Sequence, residues 1–504
     1  MTFAKPRSRA ACAVPIHELA ATGIVVLASL WAPAALAQSA MAEPAMMEEE
    51  ASPIGDDFLS EATPQPEAAQ AIPETVAEAG GEPVPPAQDI ETYGPPVPQQ
   101  LTNEASGAPY LVWSNVPAFI PPALEEAITI VTMRDPSAQA AWYRVRAAEA
   151  GTRSARWQQF PSLSANTNLS TASNFLLPSL TADLPLWSGG RISAGIKRAQ
   201  TQGAAAEAGW DEVVLDLATQ VSALYYDIVL NTRLLIVYED SLKAHSRLVG
   251  TMERRVAQRV SADVDLQLAL SRAAQIEQEL LIIQAQRDTS LQALAEFISD
   301  PSFDLGNAPD FRKDELASDW QGIADEALGY SPTKRRLDEE AKVAEFDIKI
   351  ARSSLFPQIT AQYDYNDITG SRVGLGVRVQ TGNGLSRFAD IDNARARFET
   401  ANNQSLLFQR QFRQELAGDV TLLQAALARS EVSSDASATA ARVSESYLRQ
   451  FIAGRRSWLD VMNTLREDLA AKSGLAQAEV TAMATSVRLH LRSGRWRPER
   501  VAGE

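Results

Sequence analysis

The side chains that most often carry out chemistry in proteins are scarce in this chain of 504 residues. Its three histidines are His17, His245 and His490, and its single cysteine is Cys12. A metal site built from histidine or cysteine needs several ligands at close spacing, which this pattern does not provide. A Gly-x-Gly at 374–376 lacks the third glycine and the following helix of a phosphate-binding loop. We therefore expect a chain without catalytic activity, metal or cofactor.

The acidic character of the chain is confined to its N-terminal part. The formal net charge is −17, yet no Lys or Arg occurs between Arg9 and Arg134. Beyond that stretch acidic and basic residues are nearly balanced, so no basic surface for a nucleic acid is indicated. We expect no nucleic-acid partner.

Two N-terminal segments are expected to lie outside the folded body. Residues 1–37 have a basic start, an apolar stretch and a small-residue site at 35–37, the pattern of a secretory signal peptide. The alternative is an N-terminal membrane anchor. Residues 38–120 are rich in Pro, Glu, Ala and Gln, a composition that buries too little apolar surface to offset the entropy of ordering. We predict a disordered segment there, with a short docked piece around 110–113.

The rest of the chain contains one unit twice. At a step of 196 residues Pro136 meets Pro332, and the segment 160–165 meets 356–361. Further matches at this step join Ala257, Arg259 and Ser261 to Ala453, Arg455 and Ser457. Two copies of one unit predict a pseudo-symmetric molecule.

Each copy has two stretches in which apolar and polar residues alternate, at about 160–187 and 356–382. Alternation with a period of two is typical of a β-hairpin with one apolar and one polar face. Asp183, Asp364 and Arg378 fall in the polar register. Strands of about 10 residues with this pattern suit a membrane β-barrel as well as a soluble sheet packed on helices. The hairpins alone leave both interpretations open.

Long helices are predicted after each hairpin. Prolines are absent from 186–300 and from 358–497, and apolar residues recur there at heptad-like steps. We predict two helices within each of the ranges 189–298 and 385–492, a long one followed by a shorter one. The long helix in each range would reach about 100 Å at 1.5 Å per residue. Helices of this length do not fit inside a compact globular domain.

The predicted organisation is repeat 1 at 121–310, repeat 2 at 311–495 and a tail at 496–504. Each repeat has the order helix, strand, strand, very long helix, helix, so one chain supplies four strands, too few to close a barrel. A lipid-exposed sheet must close, because an open edge leaves backbone groups unpaired in hydrocarbon. Two copies would give eight strands and three would give twelve. The sequence therefore predicts an oligomer that combines a membrane β-barrel with a long α-helical coiled-coil barrel.

A set of motifs occurs in a fixed order over about 120–495. They are Leu124-Glu-Glu-Ala-Ile, Phe160-Pro-Ser-Leu, Leu184-Pro-Leu-Trp-Ser-Gly-Gly-Arg, Arg259-Val-Ser-Ala-Asp-Val and Phe451-Ile-Ala-Gly-Arg-Arg-Ser-Trp-Leu-Asp-Val. In this set the chain resembles the TolC-type outer-membrane efflux proteins. The resemblance implies a homotrimer with a twelve-stranded barrel among the lipids of the outer membrane of a Gram-negative bacterium, and a helical tunnel in the periplasm.

The same resemblance implies a passive exit duct. An inner-membrane ABC exporter or pump would recruit it through a periplasmic adaptor (membrane fusion protein). The segment 454–463 is more similar to members that serve type I secretion than to drug-efflux members.

The resemblance also places a periplasmic gate at the two helical turns, 257–263 and 453–459. Gly454 matches the family's tip glycine, needed where the backbone turns between two helices. At the step of 196, repeat 1 has Gln258 in that position. The two tips are therefore expected to differ.

Charged residues of the implied gate follow the second tip. Arg456 matches an arginine that links to an acid of the other tip, for which Asp263 is the candidate. Asp460 matches an aspartate that forms an acidic ring on the trimer axis, and like charges in a narrow pore favour cations. Asn463 stands at the family's second ring position, so one ring is weakened. For each charged residue the alternative is a solvated helix end or an ordinary N-cap.

In the implied barrel, Asp183, Asp364 and Arg378 would face the lumen. Glycines at the strand-to-helix transitions are Gly189, Gly190, Gly382 and Gly384. Their small size and conformational freedom suit a kinked passage from strand to helix.

A periplasmic coiled-coil adaptor or scaffold is the competing interpretation. It would explain the signal peptide, the heptads and the lack of catalytic residues. It would not explain two alternating hairpins, one in each copy.

Overall fold

The structure is a computed structural model that describes residues 109–169, 176–316, 320, 322–366, 370–379 and 385–501. The predicted signal peptide and the greater part of the predicted disordered segment lie outside the described residues. Gly382 and Gly384 also lie outside them.

The first half of the described chain contains two short elements and the first repeat. They are β1 (Tyr110–Ser114), α1 (Pro122–Arg134), α2 (Pro136–Trp157), β2 (Ser162–Leu169), β3 (Leu176–Trp187), α3 (Arg191–Ala257) and α4 (Asp263–Ile298). The second half contains α5 (Lys313–Leu316), α6 (Ile323–Tyr330), α7 (Pro332–Ser353), β4 (Gln358–Asn366), β5 (Gly370–Arg378), α8 (Ser386–Ile452), α9 (Trp458–Ser493) and β6 (Arg497–Val501). The predicted order of helix, strand, strand, long helix and helix is present in both halves.

The first helix of each repeat begins in the same way. Asp135 accepts a hydrogen bond from the Ser137 amide ahead of α2, and Ser331 accepts one from the Lys334 amide ahead of α7. Proline occupies the first helical position in both, where no amide donor is needed. The sequence thus fixes both helix starts locally.

The long helices α3 and α8 have 67 residues each, about 100 Å at the usual rise of 1.5 Å per residue. Buried positions on α8 recur at steps of seven. They are Leu416, Leu423, Ser430, Ser437, Ser444 and Phe451. This heptad is the pattern of coiled-coil packing.

Four strands form one antiparallel sheet in the order β2-β3-β4-β5. The central pairing, β3 with β4, joins the two repeats and contains a bulge between Pro185 and Trp187. In the described residues β2 and β5 each pair on one side only. The sheet of one chain therefore ends in two strands whose outer edges have no partner strand.

A large apolar core lies midway along the helices. β1 pairs antiparallel with β6, and Leu111 and Trp113 of β1 are buried there. Trp496 is fully buried, with its ring 5.3 Å from that of Trp113. The core also takes in α1, α6, the middle of α3 and the end of α9.

Two sequence expectations concern residues of this core. Tyr110–Ser114, inside the segment predicted as disordered, is a strand at the place where a docked piece was expected. The region 496–504 was predicted as a tail, yet Arg497–Val501 is a strand. Both segments are too short and too mixed in composition to reveal a pairing partner almost 400 residues away.

The repeat register also differs from the sequence prediction. α2 and α7 begin 196 residues apart, at Pro136 and Pro332, but α3 and α8 begin 195 apart, at Arg191 and Ser386. α4 and α9 keep the step of 195. The predicted continuation of the 196 step to the second set of turns is therefore wrong, because one residue is lost before α8.

Candidate functional site

The two helical tips have the same backbone conformation. Gly454 has φ +72°, and its amide donates to the Phe451 carbonyl at 2.9 Å. Arg259 has φ +59°, and its amide donates to the Val256 carbonyl at 2.9 Å. In each tip the next amide donates to the carbonyl five residues back, which completes a Schellman motif.

The counterpart of Gly454 is thus Arg259 and not Gln258, a correction that follows from the step of 195. Gln258 is the residue before the left-handed position. The predicted difference between the tips remains, because a bulky residue takes a conformation in repeat 1 that glycine takes in repeat 2. An L residue in this conformation costs about 1–2 kcal/mol.

Arg456 lies against its own hairpin. Its guanidinium is 4.3 Å from the centre of the Tyr447 ring, and its Nε donates to Gln450 Oε1 at 3.3 Å. Its Nη1 is 3.8 Å from Asp460 Oδ2. Both side chains of this ion pair are about half exposed, and they are four residues apart in the sequence. Such an exposed pair contributes little stability. Within one described chain Arg456 makes no ion pair with Asp263, and the predicted link stays a prediction about the assembled gate.

Acids stand in the first turn of both return helices. Asp263 and Asp265 begin α4, and Asp460 lies in the first turn of α9. An acid near a helix N-terminus is stabilised by the helix dipole. At the step of 195 the counterpart of Asp460 is Asp265, which the sequence prediction missed. Counting the repeat from the strands onward, where the register changes, would have identified it.

Asn463 is exposed on α9, one turn beyond Asp460. It lines a groove of about 160 Å³ between α4 and α9 whose other lining residues include His245, Arg272, Trp458 and Arg466. Burial lowers the pKa of His245, an effect opposed by its hydrogen bond to the Ser241 carbonyl. Asn463 therefore borders a groove that is formed within one chain.

A small apolar cluster holds the two tips together. Its buried members are Leu248, Met252, Phe451, Val461, Met462 and Leu465. Trp458 packs against this cluster, half buried. The gate candidates of the second tip are therefore mounted on a packed structure that involves both hairpins.

The three predicted lumen residues lie on one face of the sheet. Asp183 is paired with Ser162 and Gln362, and Asp364 is paired with Thr181. Arg378 is opposite Gln358, and since Gln358 and Asp364 are six apart on one strand, both side chains point to the same side. The pairing register thus brings the residues to a common polar face.

The opposite face of the sheet is apolar and exposed. Leu163 is 74% exposed, Val373 83% and Leu375 73%. A soluble protein rarely exposes so continuous an apolar face, whereas the outer face of a membrane barrel is apolar. Of the two interpretations of the hairpins, this arrangement favours the membrane sheet.

The glycines after β3 make the turn into α3. Gly189 has φ +60° and Gly190 has φ +87°, and Gly190 is the N-cap of α3. A Cβ on Gly189 would lie 2.7 Å from the Cβ of Phe356 and 3.1 Å from the Ser353 carbonyl oxygen. Gly189 is therefore required both by the backbone conformation and by the close approach of α7.

Comparisons with known proteins agree with this architecture. Residues 128–299 match the family described as outer membrane efflux protein. The resemblance inferred from the sequence is confirmed. No curated protein sequence matches the chain.

Solved outer-membrane channels share the fold of this chain. VceC from Vibrio cholerae has a TM-score of 0.65 and 21% identity, with 74% of this chain and 96% of that chain covered. CmeC from Campylobacter jejuni has a TM-score of 0.60 and 12% identity, with 75% and 86% covered. The open state of MtrE from Neisseria gonorrhoeae has a TM-score of 0.56 and 17% identity, with 76% and 95% covered.

The family match supports the predicted location in the outer membrane and the predicted transport role. Over residues 128–299 the chain is similar to outer membrane efflux proteins. This similarity favours the duct over the periplasmic adaptor or scaffold. The type I secretion branch is a separate question, taken up below.

Proposed function

We propose that three copies of this chain form a closed outer-membrane exit duct. The observation that carries the proposal is the sheet of one chain, with one exposed apolar face, one polar face and, among the described residues, no partner strand for the outer edges of β2 and β5. Such edges are not stable in hydrocarbon unless another strand pairs with them. Pairing β5 of one copy with β2 of the next closes a barrel, and three copies supply twelve strands.

In this barrel Asp183, Asp364 and Arg378 line the lumen. Their common face is polar, and the apolar face meets the lipid. Charged side chains around a water-filled pore tune the ions that pass. Below the barrel α3 and α8, about 100 Å long by the helical rise, form the wall of a periplasmic tunnel.

The gate of the proposed duct lies at the second tip. Asp460, repeated by three-fold symmetry, forms an acidic ring that favours cations. Arg456 and Asp263 join neighbouring hairpins when the gate is closed, and Gly454 allows the tight turn between the helices. Asn463 leaves the second ring position uncharged.

The partners proposed for the duct are a periplasmic adaptor and an inner-membrane ABC exporter or pump. The duct is passive and receives its cargo from these partners. The phrase at 454–463 supports the type I secretion branch, in which the cargo is a protein.

Single-channel conductance in a planar bilayer tests the duct and its gate. Wild type should show small, cation-selective openings, since acids at the constriction attract cations. Asp460→Ala should lose selectivity, and Arg456→Ala should give larger openings because a contact of the closed gate is removed. Asp435→Ala is the matched control, an exposed acid on α8 several helical turns before the tip, and should behave as wild type.

The proposal fails if the purified protein stays in solution without detergent and no variant conducts. If wild type conducts but Asp460→Ala has the same ion selectivity as Asp435→Ala, the proposed gate is wrong and the proposed duct stands.

A further inference from the structure

The long helices of the two repeats are covered to very different extents. α3 buries 20 residues and α8, of equal length, buries 11. α3 lies between α2 of its own repeat and α7 of the other repeat, whereas α8 packs against α7 and α9 of its own repeat. In the described chain α8 has no neighbour that corresponds to α7 beside α3. One side of α8 is therefore left without a partner helix.

The repeat correspondence is accurate enough to locate what is missing. Within repeat 1 the rings of Trp142 on α2 and Trp210 on α3 are 5.4 Å apart. The steps of 196 for α2 and 195 for α3 convert this pair into Asp338 and Ser405. Ser405 Oγ donates to Asp338 Oδ1 at 2.6 Å. Counterparts assigned by these two steps thus occupy equivalent positions, even where their chemistry differs.

The contact of α3 with α7, here called the internal seam, is held by three ion pairs. They are Arg336–Glu212, Arg335–Asp211 at 2.7 Å and Arg198–Asp347 at 2.6 Å. The same steps assign Leu407 and Ala140 to the first pair, Leu406 and Gln139 to the second, and Asn393 and Gly151 to the third. The counterpart of the internal seam therefore contains no ion pair, and two of its members are leucines.

The acids of the internal seam are more buried than the leucines that correspond to them. The Glu212 side chain is 20% exposed and that of Asp211 22%, because α7 covers them. Leu407 is 43% exposed and Leu406 54%. Single exposed leucines are common on protein surfaces. Here, however, both stand where the other repeat has a helix–helix interface.

We propose that α8 of one copy packs through Leu406 and Leu407 against α2 of a second copy. This outer seam rests on the proposed oligomeric duct and states how its helical part is joined. Ala140 of the second copy would lie beside Leu407, and Tyr143, 53% exposed, would lie one turn further along α2. The small Ala140 leaves room for the leucine, and the tyrosine ring extends the apolar contact.

The outer seam differs from the internal seam in its chemistry. Ion pairs near a protein surface weaken as salt screens them, whereas apolar contacts are not screened. The joint between copies should therefore resist high salt better than the joint between repeats. Subunits remain associated in this arrangement without matched charges.

The test uses the oligomeric state of detergent-extracted protein, measured by light scattering and by heat-sensitive migration on a gel. Leu407→Glu should abolish or strongly reduce the trimer, because an unpaired acid enters an apolar contact. Leu422→Glu is the matched control. Leu422 is 44% exposed on the same helix, and its counterpart Asp227 is exposed on α3 even though α3 has partners on both sides.

A second substitution reverses the effect if the assignment is right. Leu407→Glu combined with Ala140→Arg rebuilds across the outer seam the Arg336–Glu212 pair of the internal seam, so trimer should return. A cysteine pair, Leu407→Cys with Ala140→Cys, gives an independent measurement on folded protein. The predicted mature chain has no other cysteine, so a bismaleimide cross-linker should yield dimers and trimers on a denaturing gel.

Outcomes separate the seam from the duct. A monomeric wild type would overturn the proposed duct. A trimeric wild type in which Leu407→Glu is as stable as Leu422→Glu, or in which both dissociate equally, would overturn the outer seam while the duct stands. Cross-linking through Leu422→Cys and Ala140→Cys at the same yield would also overturn it.

Discussion

Replacement of Gly189 should cost substantial stability, because two penalties coincide there. Its φ is +60°, and an added Cβ would lie 2.7 Å from the Phe356 Cβ and 3.1 Å from the Ser353 carbonyl oxygen. Gly190, the next residue, has φ +87°, but its Cβ would meet only Ser193 Oγ at 4.0 Å. These two neighbours separate backbone strain from steric conflict.

The magnitudes follow from the two environments. Gly190→Ala should cost about 1–2 kcal/mol, the cost of a left-handed conformation for an L residue. Gly189→Ala should add about 1–3 kcal/mol for overpacking, which gives a total of about 2–5 kcal/mol. Neither conflicting atom is the end of a flexible side chain, so the end of α7 or the start of α3 must move to relieve the contact.

Thermal unfolding of detergent-solubilised protein, followed by circular dichroism, measures the difference. Wild type should have the highest Tm, Gly190→Ala an intermediate one and Gly189→Ala the lowest. Phe356→Ala should not rescue Gly189→Ala, because alanine keeps the conflicting Cβ. Phe356→Gly should restore part of the loss relative to its own effect, in a double-mutant cycle. Equal Tm values for the two alanine variants would refute the steric argument.

Three further substitutions have defined outcomes. Gly454→Ala should cost about 1–2 kcal/mol from backbone strain alone, since no atom lies within 4 Å of the new Cβ, and hydrogen exchange at the tip would report it. Phe451→Ala should cost about 3–5 kcal/mol, because it empties the buried cluster between the tips, and should expose the tips to proteolysis. Burial lowers the pKa of His490, opposed by its hydrogen bond to Ser486, so the unfolded chain binds the proton first as pH falls. Stability should therefore be full above the ordinary value of 6.5 and decline below it, and His490→Gln should show a smaller loss of Tm between pH 7.5 and 5 than wild type.

The sequence predicts the elements of this fold well, because their signals are local. Proline at the first helical position marks Pro136 and Pro332, and the absence of internal proline marks the two long helices. The alternation in the hairpins also predicts the face on which Asp183, Asp364 and Arg378 lie, since a strand has a strict period of two. The polar face on which the residues proposed for the lumen lie can thus be predicted from the sequence.

The pairing of distant strands and the exact register between the two repeats cannot be predicted from local sequence in the same way. β1 and β6 pair across the whole described chain, and nothing in five residues such as Arg497–Val501 names the partner strand. At the tips, chance identities such as Arg259 with Arg455 supported a step of 196, while the backbone follows 195. Identity between residues is a weaker guide there than the left-handed position, which can be occupied by arginine as well as glycine. The gate counterpart Asp265 was missed for that reason.

Positions that correspond between the repeats keep their place and change their chemistry according to what covers them. The buried heptad of α8 has Ser430, Ser437 and Ser444 where the step of 195 gives Leu235, Leu242 and Val249 on α3.

Serine at such positions buries less apolar surface than leucine or valine, and each buried CH₂ contributes about 0.8 kcal/mol. The Ser430 hydroxyl donates to the Leu427 carbonyl of its own helix, so it adds no bond to a neighbouring helix. These three positions of α8 therefore bury less apolar side-chain surface than their counterparts on α3. α8 is also the long helix that leads to the second tip, so Arg456 and Asp460, the residues proposed for the gate, follow a helix whose buried heptad is the more polar of the two.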